Sequence, residues 1–156
     1  LCSFLRVTSR RTGTRTYFEN LPKEIKNRAV EVLKKFGRYQ RQAGLTFSLA
    51  SSGNFSELPK HHPSKHVDKV SDSIVRKVTA EQEVQYYLDA IELLSREEFK
   101  YILKNKFIVT DKLSNMRLQY DLQIGETTFF KWYEEALLEF AEAYKNGKIL
   151  AELGLL

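Results

Sequence analysis

The stretch DKLSNMRLQYDLQIGETTFFKWYEEAL, residues 111–137, decides the fold of this chain. It predicts a helix over 111–121, a turn over 123–126 and a longer amphipathic helix over 126–146 that ends at Asn146-Gly147. Its apolar side chains fall where two helices joined by a short turn need buried contacts, and they are Leu118, Leu122, Ile124 and Phe129. This pattern is typical of a helix-turn-helix, which presents the start of its second helix to the DNA major groove.

The residues that open this second helix are predicted to face solvent. Threonine hydroxyl and methyl groups contact base edges, and a lysine reaches a guanine edge or a phosphate. The residues predicted to read bases are Glu126, Thr127, Thr128, Phe130 and Lys131. The residues of the preceding helix predicted to hold phosphates are Lys112, Asn115 and Arg117. Trp132 is interpreted as packing at the edge of the core.

Three further helices are predicted upstream. Two of them cover residues 80–95 and 96–107, and a capping box of Ser95 and Glu98 would open the second. A basic helix covers residues 22–43, opened by Asn20 or Pro22 and ended by Gly44. Its apolar stripe at helical spacing consists of Ile25, Ala29, Val32, Leu33, Phe36 and Tyr39.

No segment alternates apolar and polar residues as a strand would, so the fold class is all-α. We divide the chain into an irregular basic arm over 1–20, a separate basic amphipathic helix over 21–45, a polar connector over 46–79 that is partly disordered, and a helix-turn-helix domain over 80–150.

Charge is distributed unevenly along the chain. Residues 1–45 hold eleven Lys and Arg against three Asp and Glu, whereas residues 81–156 hold nine against fourteen. Basic side chains of the first helix, namely Lys34, Lys35, Arg38 and Arg41, would therefore add phosphate contacts, or this helix would pair with a second copy of the chain. In the acidic half, a few local residues would have to make any DNA contact.

Other chemistries find little support in the sequence. His61, His62 and His66 lie close together but lack a neighbouring cysteine or carboxylate cluster, so we predict no metal site and no cofactor. No phosphate-binding loop or nucleophile motif occurs, and we predict no enzymatic activity. The single cysteine, Cys2, and the lack of a long apolar run favour a cytoplasmic protein without membrane contact.

The segment LQYDLQIGETTFFKWYEEALLEFAEAYKNGKI resembles the ArpU family of phage late transcriptional regulators, found in phages and prophages of Gram-positive bacteria. The resemblance extends to the basic helix ending in FGRYQRQAG and covers roughly residues 20–150. Two positions depart from the family pattern: Gln119 replaces a small residue, and Gln123 replaces the glycine of the turn, with glycine displaced to Gly125.

The resemblance implies a C-terminal half similar to the promoter-reading helix-turn-helix domain of sigma factors. It further implies a double-stranded DNA-binding activator of late genes for packaging and lysis, located at the nucleoid of a bacterial host. Host RNA polymerase and a second copy of the chain are the further partners considered. The alternative is a protein-interaction module that contacts RNA polymerase or a packaging component through the acidic face Glu126, Glu134, Glu135, Glu139 and Glu142.

Overall fold

The computed structural model describes residues 15–44 and 67–156, and every regular element in those ranges is helical. The predicted all-α fold is therefore confirmed. The α-helices are α1 (Arg15–Lys34), α2 (Phe36–Ala43), α3 (Val67–Glu92), α4 (Glu97–Leu103), α5 (Asn115–Leu122), α6 (Glu126–Ala143) and α7 (Lys148–Glu152). A π-helical segment (Lys104–Ile108) follows α4, and a 3-10 turn (Tyr144–Asn146) follows α6.

The N-terminal helices share one core with the C-terminal half. The stripe of α1 and α2 is buried at Ala29, Val32, Leu33 and Phe36, against side chains of α3 and α6. At its centre, the Tyr87 ring meets the ring of Phe36 edge-on with centroids 5.4 Å apart. The prediction of a separate basic helix is thus wrong, because the apolar face of this helix is buried in the core. That face is therefore not available to a second copy of the chain.

The predicted single helix over 22–43 is two helices. The first begins at Arg15, so Pro22 lies inside it instead of opening it, and the basic arm cannot extend to residue 20. The break comes at Lys35, where the Val32 carbonyl accepts from the Lys35 N–H at 3.0 Å and from the Tyr87 hydroxyl at 2.7 Å. The first of these bonds is one residue tighter than an α-helical bond. Gly44 ends α2 with a left-handed φ of 71°, as predicted.

Helix α3 begins at Val67, which corrects the connector predicted over 46–79 and the helix predicted over 80–95. Residues 71–79 are all exposed, so they carry no core-facing stripe and their Ser and Asp content is typical of a loop. Burial starts at Ala80 and continues through Val84 and Tyr87. The connector prediction for residues 46–66 lies outside the described residues.

The predicted capping box at Ser95 is wrong. Helix α4 begins at Glu97, and the Ser95 N–H and hydroxyl both donate to the Glu139 carboxylate, at 2.8 and 2.7 Å. A contact with α6 has replaced the local cap. The helix predicted over 96–107 becomes π-helical after Leu103, and the helix predicted over 111–121 begins only at Asn115.

The C-terminal end is more segmented than predicted. Helix α6 ends at Ala143, and the chain continues through the 3-10 turn before Gly147 takes a left-handed φ of 85°. Asn146 also has a positive φ, of 56°, but α6 has already ended at Ala143, so the predicted helix end at Asn146-Gly147 is three residues too late. Helix α7 follows Gly147. Within the described ranges, no helix combines the length and the hydropathy needed to cross a bilayer.

Candidate nucleic-acid interface

Residues 123–125 connect α5 to α6 in a tight turn. Gln123 adopts a left-handed conformation (φ 54°, ψ 42°), and the Ile124 N–H closes the end of α5 by donating to the Gln119 carbonyl at 3.1 Å. Gly125 is extended (φ −76°, ψ 167°), and its carbonyl accepts from the Phe129 N–H at 3.0 Å in the first turn of α6. The local backbone therefore fixes where α6 begins.

A small apolar cluster supports this turn from below. Ile102 of α4, Leu118 of α5 and Phe129 of α6 have no solvent exposure and pack together. Leu122 and Ile124 pack against them partly buried, so all four residues predicted to lock the two helices lie in this cluster or at its edge. The start of α6 consequently rests on α4 and α5 through side chains that exclude water.

The first turns of α6 carry the predicted base-reading residues on the exposed surface. Thr127, Thr128 and Lys131 are exposed, as are Glu126 and Phe130. The division is sharp at the adjacent aromatic pair, since Phe129 is 0% exposed and Phe130 is 41% exposed. The predicted exposure is confirmed, while the role of these residues in reading bases remains a prediction.

The three residues before α6 that are predicted to hold phosphates differ in their exposure and in the partners they already have. Lys112 is exposed. The Arg117 guanidinium is 3.0 Å from the Asp121 carboxylate and lies over the Tyr120 ring, so part of its charge is offset within α5. Asn115 is half-buried, and its side-chain oxygen accepts from Lys106.

The basic residues of the N-terminal helices lie elsewhere in the molecule. Lys34, Lys35, Arg38 and Arg41 are exposed, and none of them forms an ion pair with another described residue. Lys35 lines a small cavity with Tyr144 and Lys145, which follow the last turn of α6. An 18-residue helix is about 27 Å long, so Lys35 is separated from Thr127 by roughly the length of α6.

Two acidic side chains of α6 already have internal partners. The Lys26 ammonium of α1 lies 2.8 Å from the Glu134 carboxylate, and Glu139 is held by Ser95. Glu134 follows Lys131 by one helical turn, so Lys26 offsets negative charge close to the exposed start of α6. No sequence pattern predicts this ion pair, because the two residues are far apart along the chain.

Lys106 is half-buried beneath the candidate interface. Its ammonium lies 5.1 Å from the centre of the Tyr133 ring and 2.5 Å from the Asn115 oxygen, so it connects the start of α5 to α6. Burial lowers the pKa of Lys106, and burial raises the pKa of Tyr133 to about 12. The position of Lys106 depends on the π-helical segment, which the spacing of apolar residues in the sequence did not indicate.

Trp132 occupies the edge of the core, as interpreted from the sequence. It packs partly buried against both apolar clusters, and the Arg96 guanidinium covers its ring at 4.4 Å from the centroid. Arg96 is also 5.2 Å from the Phe99 ring. This cation–π contact keeps the indole side of α6 against α4, away from the exposed residues at the helix start.

In residues 15–44 and 67–156, no group of three or more His, Cys, Asp or Glu side chains is arranged to hold a metal ion. The histidines at 61, 62 and 66, and Cys2, lie outside the described residues, so the predictions made for them stay predictions.

Fold and surface together define an all-helical protein with a polar helix start exposed on a short, apolar-backed turn. Over 132 residues the chain is 36% identical to a protein of Enterococcus hirae named "Putative autolysin regulatory protein ArpU", covering 83% of this chain and 92% of that protein. A protein of the same name from Streptococcus phage O1205 is 25% identical over 121 residues, covering 77% and 86%. The chain belongs to the ArpU family. No family model and no solved structure matches it.

Proposed function

We propose that this chain is a sequence-specific, double-stranded DNA-binding regulator that activates late genes of a phage or prophage. The observation that carries the proposal is the exposed start of α6, where Thr127, Thr128 and Lys131 stand on a base fixed by Phe129. In this proposal α5, the turn and α6 act as a helix-turn-helix, with the first turns of α6 in the major groove.

The chemistry of the exposed residues suits base edges. The Lys131 ammonium would donate to guanine O6 and N7, and the threonine methyl groups would contact thymine. The Glu126 carboxylate would accept from a cytosine amino group. Lys112 and the partly offset Arg117 would hold phosphates and fix the register of α6.

The acidic character of α6 is the main electrostatic objection, and internal pairing reduces it. Lys26 offsets part of the charge of Glu134, and the Glu139 carboxylate is held toward Ser95 at the start of α4. The helix N-terminus adds partial positive charge next to Thr127. Phosphates approaching the first turns of α6 therefore meet less negative charge than the sequence alone suggests.

The relatives support the regulatory part of the proposal. Both carry names that describe regulation of an autolysin, and one of them is a phage protein. Regulation of lytic genes is consistent with the late-gene activation implied by the sequence resemblance. RNA polymerase is then a second partner for an activator that binds near a promoter.

The direct experiment is selection of bound fragments from the genome that encodes the chain, using the purified full-length protein. We expect one intergenic site to be enriched. Affinity for that site should fall steeply with salt, with a log–log slope of about −0.9 for each phosphate neutralised. Uniform recovery of fragments, or binding that salt does not weaken, would contradict sequence-specific DNA recognition.

Lys131→Ala is the sharpest single-residue test. We expect it to weaken specific binding by about 1–3 kcal/mol, because one side chain donating to a base edge is lost. The matched control is Lys148→Ala, which removes an exposed lysine beyond the opposite end of α6. A mobility-shift titration that gives equal affinity for Lys131→Ala and Lys148→Ala would sink the assignment of Lys131.

The second candidate, a protein-interaction module, is favoured by one observation. Met116 and Tyr120 on α5 are 81% and 75% exposed, which is unusual for large apolar side chains next to a proposed DNA interface. Its predicted acidic face is smaller than expected, since Glu134 and Glu139 are engaged. Lack of retention on a DNA column, together with binding of RNA polymerase abolished by Met116→Ala, would favour this candidate.

A further inference from the structure

The end of α1 and the outer face of α2 carry three exposed cations, Lys34, Arg38 and Arg41, which we call the basic stripe. They follow one another at intervals of four and three residues, the spacing of neighbours on one helix face. Helix α2 buries Phe36 and Ala43, and each of these is two residues from an arginine of the stripe. Two residues correspond to about 200° around a helix, so the basic stripe points away from the core.

The positive charge of the basic stripe is not offset by the rest of the described chain. Residues 34–44 contain no aspartate or glutamate. The ion pairs formed within residues 15–44 and 67–156 include no member of the stripe. The carboxylate closest before it in sequence is Glu31, which the Arg28 guanidinium binds at 2.9 Å. The cations of the stripe are therefore available to a partner.

A glycine lets two of these charges come close together. A Cβ atom at Gly37 would lie 3.5 Å from a guanidinium nitrogen of Arg41. The Arg41 side chain therefore runs back along α2 by about one turn, to the level of the residue before Arg38. Positive charge is thus concentrated near the junction of α1 and α2.

The surroundings of the basic stripe favour a polyanion as its partner. Residues 34–44 expose no large apolar side chain, whereas the centre of a protein–protein interface is apolar. The apolar side of these helices is buried in the core, so it cannot insert into a membrane surface as an amphipathic helix does. Cations without an apolar component match the phosphate backbone of a nucleic acid, whose bound counterions they release.

The basic stripe lies too far from the start of α6 to contact the same groove. Lys35, which follows Lys34 directly, is separated from Thr127 by roughly the length of α6, about 27 Å. The major groove of DNA is only about 12 Å wide. Phosphates held by the stripe must therefore lie outside the groove that α6 enters.

We infer that the basic stripe is a second DNA-binding surface, which holds the phosphates of duplex flanking the bases read by α6. The inference takes duplex DNA as the partner from the proposed function. Phosphate contacts carry no sequence information, so the stripe supplies affinity and the start of α6 supplies specificity. This division fits the charge distribution, since residues 81–156 hold nine Lys and Arg against fourteen Asp and Glu.

The first test is binding of the full-length protein to a random-sequence duplex at low salt, which requires no known target site. A variant that combines Lys34→Gln, Arg38→Gln and Arg41→Gln should bind at least about tenfold more weakly, because three phosphate contacts are lost. The magnitude of its log–log salt slope should fall by about 0.9 for each contact. The control combines Arg38→Lys with Arg41→Lys, which keeps the charges and should bind like the unaltered chain. Far-ultraviolet circular dichroism checks that both variants fold.

The second test uses the site selected from the genome, with and without one helical turn of flanking duplex, about ten base pairs, on each side. Removal of the flanks should weaken binding of the unaltered chain at least about tenfold and binding of the triple variant less than about twofold. Lys131→Ala should show the opposite pattern, with lower affinity for the site and an unchanged dependence on the flanks.

Two results would overturn the inference: equal binding of random duplex by the unaltered chain and the triple variant, or an equal loss in both when the flanks are removed. A triple variant that loses binding of single-stranded RNA but keeps binding of duplex DNA would assign the stripe to RNA instead. If no genomic site is enriched while the random-duplex result is as expected, the sequence-specific function fails and the second DNA-binding surface stands.

Discussion

The starts of α3 and α6 are both exposed, but they are built differently. The start of α6 carries polar side chains above Phe129, which is fully buried on Ile102 and Leu118. The start of α3 carries aliphatic side chains, and none of residues 71–79 is buried. The start of α6 offers hydrogen-bonding groups to solvent above a buried aromatic ring, whereas the start of α3 leaves aliphatic side chains in contact with water.

The largest expected effect comes from removing the base of the α6 start. Phe129→Ala should lower the free energy of unfolding by about 3–5 kcal/mol, because it leaves a cavity between α4, α5 and α6. Phe130→Ala, at the next and exposed position, should cost less than about 1 kcal/mol. Urea denaturation of the two variants measures both values.

The same measurement extends to α3 as a contrast. Ile74→Ala should change the free energy of unfolding by less than about 0.5 kcal/mol, since the side chain is exposed. A large loss for Ile74→Ala, or a small one for Phe129→Ala, would show that the two helix starts are not supported in the different ways described.

The next largest effect is a loss of folding stability at alkaline pH, caused by the buried phenol of Tyr133 in α6. Burial raises the pKa of Tyr133 to about 12, while an unfolded chain ionises tyrosine near pH 10. The stabilisation is therefore complete below about pH 10 and is lost as the pH rises toward 12, with a slope of at most about 1.4 kcal/mol per pH unit for this group. Tyr87 and Tyr144 act in the same direction, because burial also raises the pKa of each.

Tyr133→Phe isolates this contribution. The variant should lose less stability between pH 10 and 12 than the unaltered chain, as measured by denaturant unfolding at each pH. Lys106 has the opposite sign, since its lowered pKa makes stability rise with pH, but it is present in both proteins and its contribution cancels in the difference. Identical pH profiles for the two chains would refute the role assigned to the Tyr133 phenol.

Sequence periodicity predicted the elements that face the core. The stripes of the first helix and of α6 lie where spacing put them, because burial imposes the helical period on residue choice. It failed for residues 71–79, where no core-facing side is required, and at Ser95, where Glu139 from α6 takes the place of a local cap. Exposed helix and long-range polar contacts leave no period to detect.

The candidate interface was predictable to a similar extent. The exposure of Thr127, Thr128 and Lys131 followed from the amphipathic pattern of residues 111–137. Lys26 and Lys106 were not predicted as parts of it, since one approaches from another helix and the other depends on a π-helical turn. The contributions of Lys34 and Arg38 could not be judged, because sequence does not tell how far a basic helix lies from the end of α6.

The smallest effect concerns the turn that sets where α6 begins and has no counterpart at the start of α3. Gln123 has a φ of 54°, in the region that favours glycine, and a side chain there costs about 1–2 kcal/mol. Glycine loses more conformational entropy on folding, which offsets part of the gain. Gln123→Gly should therefore stabilise the protein by about 0.5–1 kcal/mol.

Gln119→Gly, in the middle of α5, is the control and should instead destabilise the protein by about 1 kcal/mol, because glycine is a poor helix former. Thermal unfolding of both variants gives the comparison, and a lower melting temperature for Gln123→Gly would show that the backbone of this turn is not what fixes the start of α6.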